Sequence, residues 1–461
     1  MSLAVPRAWF YAVALPLGLI VCQVFVDLAY GTLGGAGRAG PVSIGVLVRG
    51  GLASIAILLL FRLWAPPLKT FLLVFLLVFL ASNLVWSLAR DAYSLSHEVN
   101  QAMKVAFPWL VAGIFLFLHQ QAPIDRLYLF KLIAWAGFLS ALSMLGALAF
   151  GIGRETYGSW SYGSKGLFNA QNDIGLTLVM TLVAAALLLV RTRSVFYLVV
   201  TFSITSAGLL LGTRTGVLGP VVVVLGFFLA AFLNPRLFAP PRERRGWWST
   251  AVLILPGVLA IVVAAAIFSQ SDKTTYLLKR IESLSEETPR SKLEAAGIER
   301  LRERGLVLNL VGEGGLAFKK HVAENIGYER EKIDHGALTA VGKSKKLPFS
   351  VHRVENDLID ILGFYGIAQF AVIYGALAVV YLLALRKAVR AWNIENVALL
   401  LMLTLFLAHS SLAGHGIFSA QVGTVLAPVL FLLLRDVRWG HAVAEGAGLL
   451  RRRTTPQGPY P

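Results

Sequence analysis

Twelve runs of apolar residues, near 9–29, 42–61, 70–88, 103–119, 129–151, 173–190, 194–211, 215–233, 249–269, 357–385, 395–415 and 420–434, constrain this chain more than any other feature of it. A helix needs about 20 mainly apolar residues to cross a bilayer. Hydrocarbon offers no partner to backbone N–H and C=O groups, so the segment must satisfy them internally. With 57% hydrophobic and only 15% charged residues, a chain of 461 residues carries too little polar surface for a soluble globule. The expected fold class is an all-α integral membrane protein of about twelve transmembrane helices. The first run lacks a convincing A-x-A cleavage site and reads as a retained span. Cys22, the only cysteine, lies within it, which leaves neither an intrachain disulfide nor a cysteine-based metal site.

Orientation follows from arginine and lysine. With the N-terminus inside, the inner segments hold 19 of them, including Arg62, Lys69, Arg126, Arg191, the cluster Arg242, Arg244 and Arg245, Arg386, Lys387 and the tail run Arg451–Arg453. The short outer segments hold 7: Arg38, Arg49, Arg90, Lys104, Arg154, Lys165 and Arg214. The positive-inside rule places both termini on the cytoplasmic side, in agreement with an even span count. The net charge of +17 is thus mainly a topology signal, and nucleic acid is not an expected partner.

One connection breaks the pattern of short loops. Residues 270–355 form an outer segment with 16 Lys/Arg against 13 Asp/Glu, long enough for a small domain of its own. The expected organisation is spans 1–9 in residues 1–269, this loop in 270–355, spans 10–12 in 356–435 and a cytoplasmic tail in 436–461. Within the loop, "TPRSKLEAAGIERLRERG" (288–305) predicts a helix capped by Thr288, with Pro289 at its first position and Gly305 as terminator. "VGEGG" (311–315) predicts a glycine turn, and 319–349 shows little periodicity. A large outer loop on a helical bundle suggests chemistry at the outer membrane surface on a lipid-borne substrate.

The residues suited to such chemistry are few. In "SVHRVENDLIDILGFYG" (350–366), a helix begun at His352 would carry His352, Gly363 and Gly366 on one face. A histidine at a helix N-terminus meets the positive end of the dipole, which keeps its imidazole neutral and suited to a general base. The plainer alternative is an interfacial histidine that caps the helix. Arg214, in "LLLGTRTGVLG", stands at a sharp outer turn near the hydrocarbon edge, where a guanidinium either snorkels or meets an anion. Arg290 lies in the first turn of the loop helix, where it opposes the dipole, and is otherwise a solvated charge. Together they suggest a clamp for a lipid diphosphate, since guanidinium groups bind phosphate oxygens in bidentate fashion. In "GLFNAQNDIG" (166–175), Asn169 and Asn172 are candidates for phosphate or sugar hydroxyls, with helix capping the alternative for Asn172. No metal-ligand spacing is found, and Glu355 with Asp357 is too common a pair to argue for one. No metal or cofactor is expected.

These segments resemble the family of bacterial O-antigen ligases and polymerases. "HRVENDLIDILGFYG" is similar to the ligase pattern of histidine, a small polar residue, nine positions, then glycine, two positions and glycine, with Arg353 in place of the small polar residue. "GLFNAQNDIG" resembles its G-x-F-x-x-x-N element, and "GTRTG" resembles its arginine turn. "TPRSKLEAAGIERL" before "LVGEGG" is similar to its loop arginine, helix and glycine turn. The resemblance covers about residues 160–370. It implies a GT-C-like membrane glycosyltransferase that moves O-antigen from undecaprenyl diphosphate to lipid A–core on the periplasmic side of the bacterial inner membrane. His352 would be its base, Arg214 and Arg290 its diphosphate ligands, and Asn169, Asn172, Arg353 and Glu355 further substrate contacts. An O-antigen polymerase or a protein O-oligosaccharyltransferase would share this chemistry with another acceptor. A lipid-linked sugar transporter is disfavoured by the scarcity of charges within the spans, Arg49 being the main one.

Overall fold

The computed structural model describes residues 4–33, 44–60, 62, 66–89, 95–157, 162–168, 170–234, 289–326, 354, 356–414 and 416–437. Nearly all of them are helical. In chain order these are α1 (Ala4–Trp9), a π-helical turn (Phe10–Ala14), α2 (Leu15–Leu33), α3 (Ile44–Leu60), α4 (Pro66–Ala89), α5 (Leu95–Gln121) and α6 (Arg126–Ala149). A hairpin of β1 (Arg154–Tyr157) and β2 (Tyr162–Gly166) follows, then α7 (Gln171–Thr192), α8 (Val195–Leu211) and α9 (Arg214–Leu233). The loop region supplies α10 (Pro289–Glu303), α11 (Leu306–Val311) and α12 (Gly315–Asn325), and the chain closes with α13 (Asp357–Arg390), α14 (Ile394–Leu412) and α15 (Ala420–Leu434).

Among the described residues, 8 helices are long and apolar enough to cross a membrane. The runs at 42–61, 194–211 and 420–434 form shorter apolar helices, and the run at 249–269 lies outside the described residues. The chain is a multi-pass, all-α membrane protein. α7 forms its centre: every residue from Ile174 to Leu189 is buried, as a helix apolar on all sides must be when other helices surround it. α4 and α9 instead present leucine and phenylalanine outward, among them Leu73, Leu76, Leu77, Leu225 and Phe228.

Polar residues within the bundle are tied in pairs. Arg49 of α3, the intramembrane charge noted in the sequence, is ion-paired with Asp27 of α2. At the end of the bundle opposite Arg214, Glu395 joins Arg126 and Arg191, and Lys387 meets Asp436 at 3.0 Å. Glycines bring α8 and α9 together, because a Cβ on Gly216 would collide with the Gly208 carbonyl.

Three expectations need correction. α13 starts at Asp357, where the Asn356 side chain accepts the Leu358 N–H, and it breaks at Gly366 (φ 73°, ψ −176°). A helix continuous from 352 to 366 is therefore excluded, because a polar N-cap starts α13 at Asp357 and a positive-φ glycine ends its first segment; His352 itself lies outside the described residues. Second, residues 319–325 belong to α12, which is held by the buried Phe318, Val322 and Ala323 and closed by Ile326 at its C-cap; residues 327–349 lie outside the described residues. Third, Gly305 does not simply end the loop helix: α10 stops at Glu303 and Gly305 opens α11.

The break in α13 takes three carbonyls out of the regular ladder, and the loop region supplies their donors. Arg304 donates to the Leu362 and Gly363 oxygens at 2.7 and 3.1 Å. The Glu313 and Gly314 N–H groups reach the Gly363 and Phe364 oxygens, both at 2.9 Å. Irregular backbone near a membrane persists only where protein groups satisfy it in this way. Gly312 (φ 77°) and Gly314 (φ 81°) give the loop the turn that brings these donors into line.

Candidate functional site

Four sequence segments far apart in the chain meet at one end of the bundle. The first is the turn before α9. Gly212 (φ 71°) ends α8 in the left-handed conformation, and the Thr213 side chain caps α9 by accepting the Gly216 N–H at 3.1 Å. Arg214 follows as the first residue of α9 and is exposed. Its neighbour Thr215 bonds His409 of α14 at 2.9 Å, which fixes the turn against the bundle.

The start of α7 abuts the same turn, since a Cβ at Gly175 would stand 3.2 Å from the Thr213 hydroxyl. Asn172 lies inside the first turn of α7 and is half-buried; the cap position belongs to Ala170 and has no side-chain cap, so Asn172 is not the N-cap. Asn169 lies outside the described residues. Just upstream, the hairpin brings Lys165 close to Arg154, and burial together with that like charge pushes the Lys165 ammonium below its ordinary pKa.

The third segment is the start of α13. Asp357 accepts the Ile417 N–H at 2.9 Å, and a Cβ at Gly416 would lie 3.3 Å from its carboxylate and 3.6 Å from Leu176 of α7. Asp360 accepts the Val354 N–H at 3.0 Å, and Asn356 donates to the Ser411 carbonyl at 3.1 Å. Both aspartates are fully buried. Their oxygens serve backbone N–H groups, so they fix the chain on either side of the helix start. His352, Arg353 and Glu355 lie outside the described residues.

The fourth segment is α10. Its Gly297 packs so closely on Val354 and Ile359 that a Cβ there would stand 3.0 and 2.9 Å from their methyl groups. Pro289 opens this helix as expected, and the backbone of Arg290 lies in its first turn. The starts of α7, α9 and α13 are thus linked at one end of the bundle, and α10 packs on the start of α13. Such ends carry partial positive charge and free N–H groups, which favour an anion.

A second buried network locks the loop onto the bundle and was not legible in the sequence. The Glu98 carboxylate of α5 accepts the Gly315 and Leu316 N–H groups at 2.9 and 3.2 Å, capping α12 from a different helix. Glu313 receives Arg300 at 2.8 Å and His321 at 2.6 Å. Burial alone would raise the Glu313 pKa, but the hydrogen bonds from His321 and Arg300 outweigh it and hold the carboxyl below its ordinary range. A carboxylate depressed in this way stabilises the fold above the unfolded value of about 4.3 and loses that contribution as pH falls through the lowered folded value. The thermal midpoint of the wild type is therefore expected to drop more steeply on acidification than that of Glu313→Gln. Parallel slopes in detergent melting curves would remove the network from the account. Among the described residues, no three His, Cys, Asp or Glu side chains gather as metal ligands.

No curated protein matches the chain. The family described as O-antigen ligase like membrane protein matches residues 11–302, from the first span to the end of α10. That stretch contains both the α7 and α9 starts and the arginine turn between α8 and α9. A match across well over half of the chain makes it a member of that family, the O-antigen ligase like membrane proteins.

Proposed function

We propose that this protein is an O-antigen ligase that transfers a glycan from undecaprenyl diphosphate to a sugar hydroxyl of lipid A–core at the periplasmic face of the inner membrane. The observation that carries this reading is the meeting of the α7, α9 and α13 starts beside the exposed Arg214, in a chain of the O-antigen ligase family. In this account Arg214 and Arg290 hold the diphosphate and balance the charge that grows on it. Asn169, Asn172, Arg353 and Glu355 contact the sugars. The acceptor oxygen attacks the anomeric carbon as the bond from that carbon to the diphosphate oxygen breaks, and the electron pair leaves with the diphosphate. His352 takes the acceptor's proton. Preorganised positive groups at the departing anion lower the barrier without a metal ion, and a single displacement inverts the anomeric centre.

The test is to incubate purified protein with undecaprenyl diphosphate-linked glycan and lipid A–core, without divalent metal. Lipopolysaccharide of lower mobility on a gel is the expected product. Longer glycan on the polyprenyl carrier, with lipid A–core unchanged, would move the assignment to a polymerase. Arg214→Ala is expected to weaken donor binding by about 1.5–3 kcal/mol, the worth of a hydrogen bond to a charged group. Titration with labelled donor reads this directly, and Arg214→Lys should recover part of it. An unchanged donor affinity would remove Arg214 from the diphosphate site.

A further inference from the structure

The short helix α11 carries an apolar face that no described element covers. Leu306, Val307 and Leu310 are 76%, 60% and 45% exposed, whereas Asn309 turns inward to pair with Arg304 at 2.8 Å. On a six-residue helix this leaves every strongly exposed side chain apolar. Immediately before it, Arg302 and Glu303 of α10 are exposed and charged.

The height of α11 in the molecule is fixed by its bonds. It sits against the break in α13: a Cβ on Gly366 would collide with the Leu310 carbonyl and the Gly312 N–H. Below that break, residues 367–385 run uninterrupted to Arg386 and Lys387. At 1.5 Å per residue this stretch is about 28 Å long, close to the ~30 Å hydrocarbon thickness of a bilayer. Gly366 and α11 therefore lie at the outer boundary of the hydrocarbon.

The second helix beside α11 gives the same level. Trp86 of α4 donates to the Gly312 carbonyl at 3.1 Å. On α4 the exposed leucines flank this point, with Leu84 63% and Leu88 80% exposed. On the α13 side the exposed Ile367 joins them. The apolar face of α11 thus continues the outward-facing surface of two spanning helices, and the exposed Arg302 and Glu303 precede it in the chain.

We infer that α11 is an interfacial anchor whose Leu306, Val307 and Leu310 insert among the acyl chains of the outer leaflet. Its occupant is bilayer lipid. The arrangement is that of an amphipathic segment buried at the headgroup–acyl boundary, here braced from behind by Arg304 and the broken helix. It sets the height of α10 and α12, and with them the loop, relative to the membrane. This inference is independent of donor chemistry.

Cys22→Ser gives a cysteine-free background in which single cysteines at 303, 307 and 84 carry a nitroxide spin label. The full-length protein is placed in phosphatidylcholine/phosphatidylglycerol vesicles that contain no polyprenyl lipid. The label at 307 is expected to collide several-fold more with oxygen than with a water-soluble nickel chelate, as at the outward-facing position 84, while position 303 shows the reverse preference. A nickel preference at 307 would overturn the inference by placing α11 in water. Protection of 307 from both reagents would overturn it as well, because the face would then be covered by protein. A label at 310 repeats the measurement, so that failure of one variant to fold leaves the result readable.

Discussion

Replacement of His352 by alanine is expected to slow glycan transfer by roughly 10²–10⁴-fold, the usual contribution of a positioned general base, while donor binding stays close to wild type. The split follows from the division of labour in the proposed site: the arginines bind an anion that is present before reaction, whereas the histidine acts on an acceptor proton that moves only in the transition state. Arg214→Ala should show the opposite pattern, with weaker donor binding dominating the defect. Single-turnover rates at saturating donor, set beside donor titrations, separate the two variants. A His352→Ala protein with wild-type turnover would end the assignment of His352 as base, even if the ligase product itself were observed.

Gly366→Val is expected to cost about 2–6 kcal/mol of stability. Its backbone (φ 73°, ψ −176°) lies in a region that side-chain-bearing residues avoid at about 1–3 kcal/mol. The new side chain would also press on the Leu310 and Gly312 backbone, and overpacking of that kind costs about 1–3 kcal/mol. The loss should appear as a lower thermal midpoint in detergent, with early release of the loop helices detected by proteolysis between α10 and α12. Gly375→Val is the control: it sits in the same helix with no heavy atom within 4 Å of its would-be Cβ. Equal midpoints for the two variants would contradict the packing of α11 and the glycine turn against the broken helix.

The local features of the candidate site were legible to different degrees. The turn around Arg214 was plain because its chemistry is local: a left-handed glycine and a threonine cap lie within four residues of each other, and both act as their types suggest. The start of α10 at Pro289 was legible for the same reason. The apolar run from 357 marked the start of α13, whereas a helix continuous from His352 does not form. Helical periodicity extends back to His352 on paper, but Asn356 supplies a cap and Asp360 draws the Val354 N–H out of any helix, which no periodicity records. The glycines at 363 and 366 are positions of close approach, the first to the Phe318 ring and the second to the α11 backbone, partners that their spacing does not name.

The sequence by itself determined that this is a helical membrane protein and where most of its helices run. Those properties depend on hydrophobic length, local capping and residue type, all written in consecutive residues. Only the tertiary structure decided that the α7, α9 and α13 starts share one end of the bundle, that Glu98 caps α12 across more than two hundred positions of chain, and that Arg304 satisfies the carbonyls freed at Gly366. The physical reason is that a buried polar group must find a partner wherever the fold brings one within hydrogen-bond reach, and sequence spacing does not encode that distance.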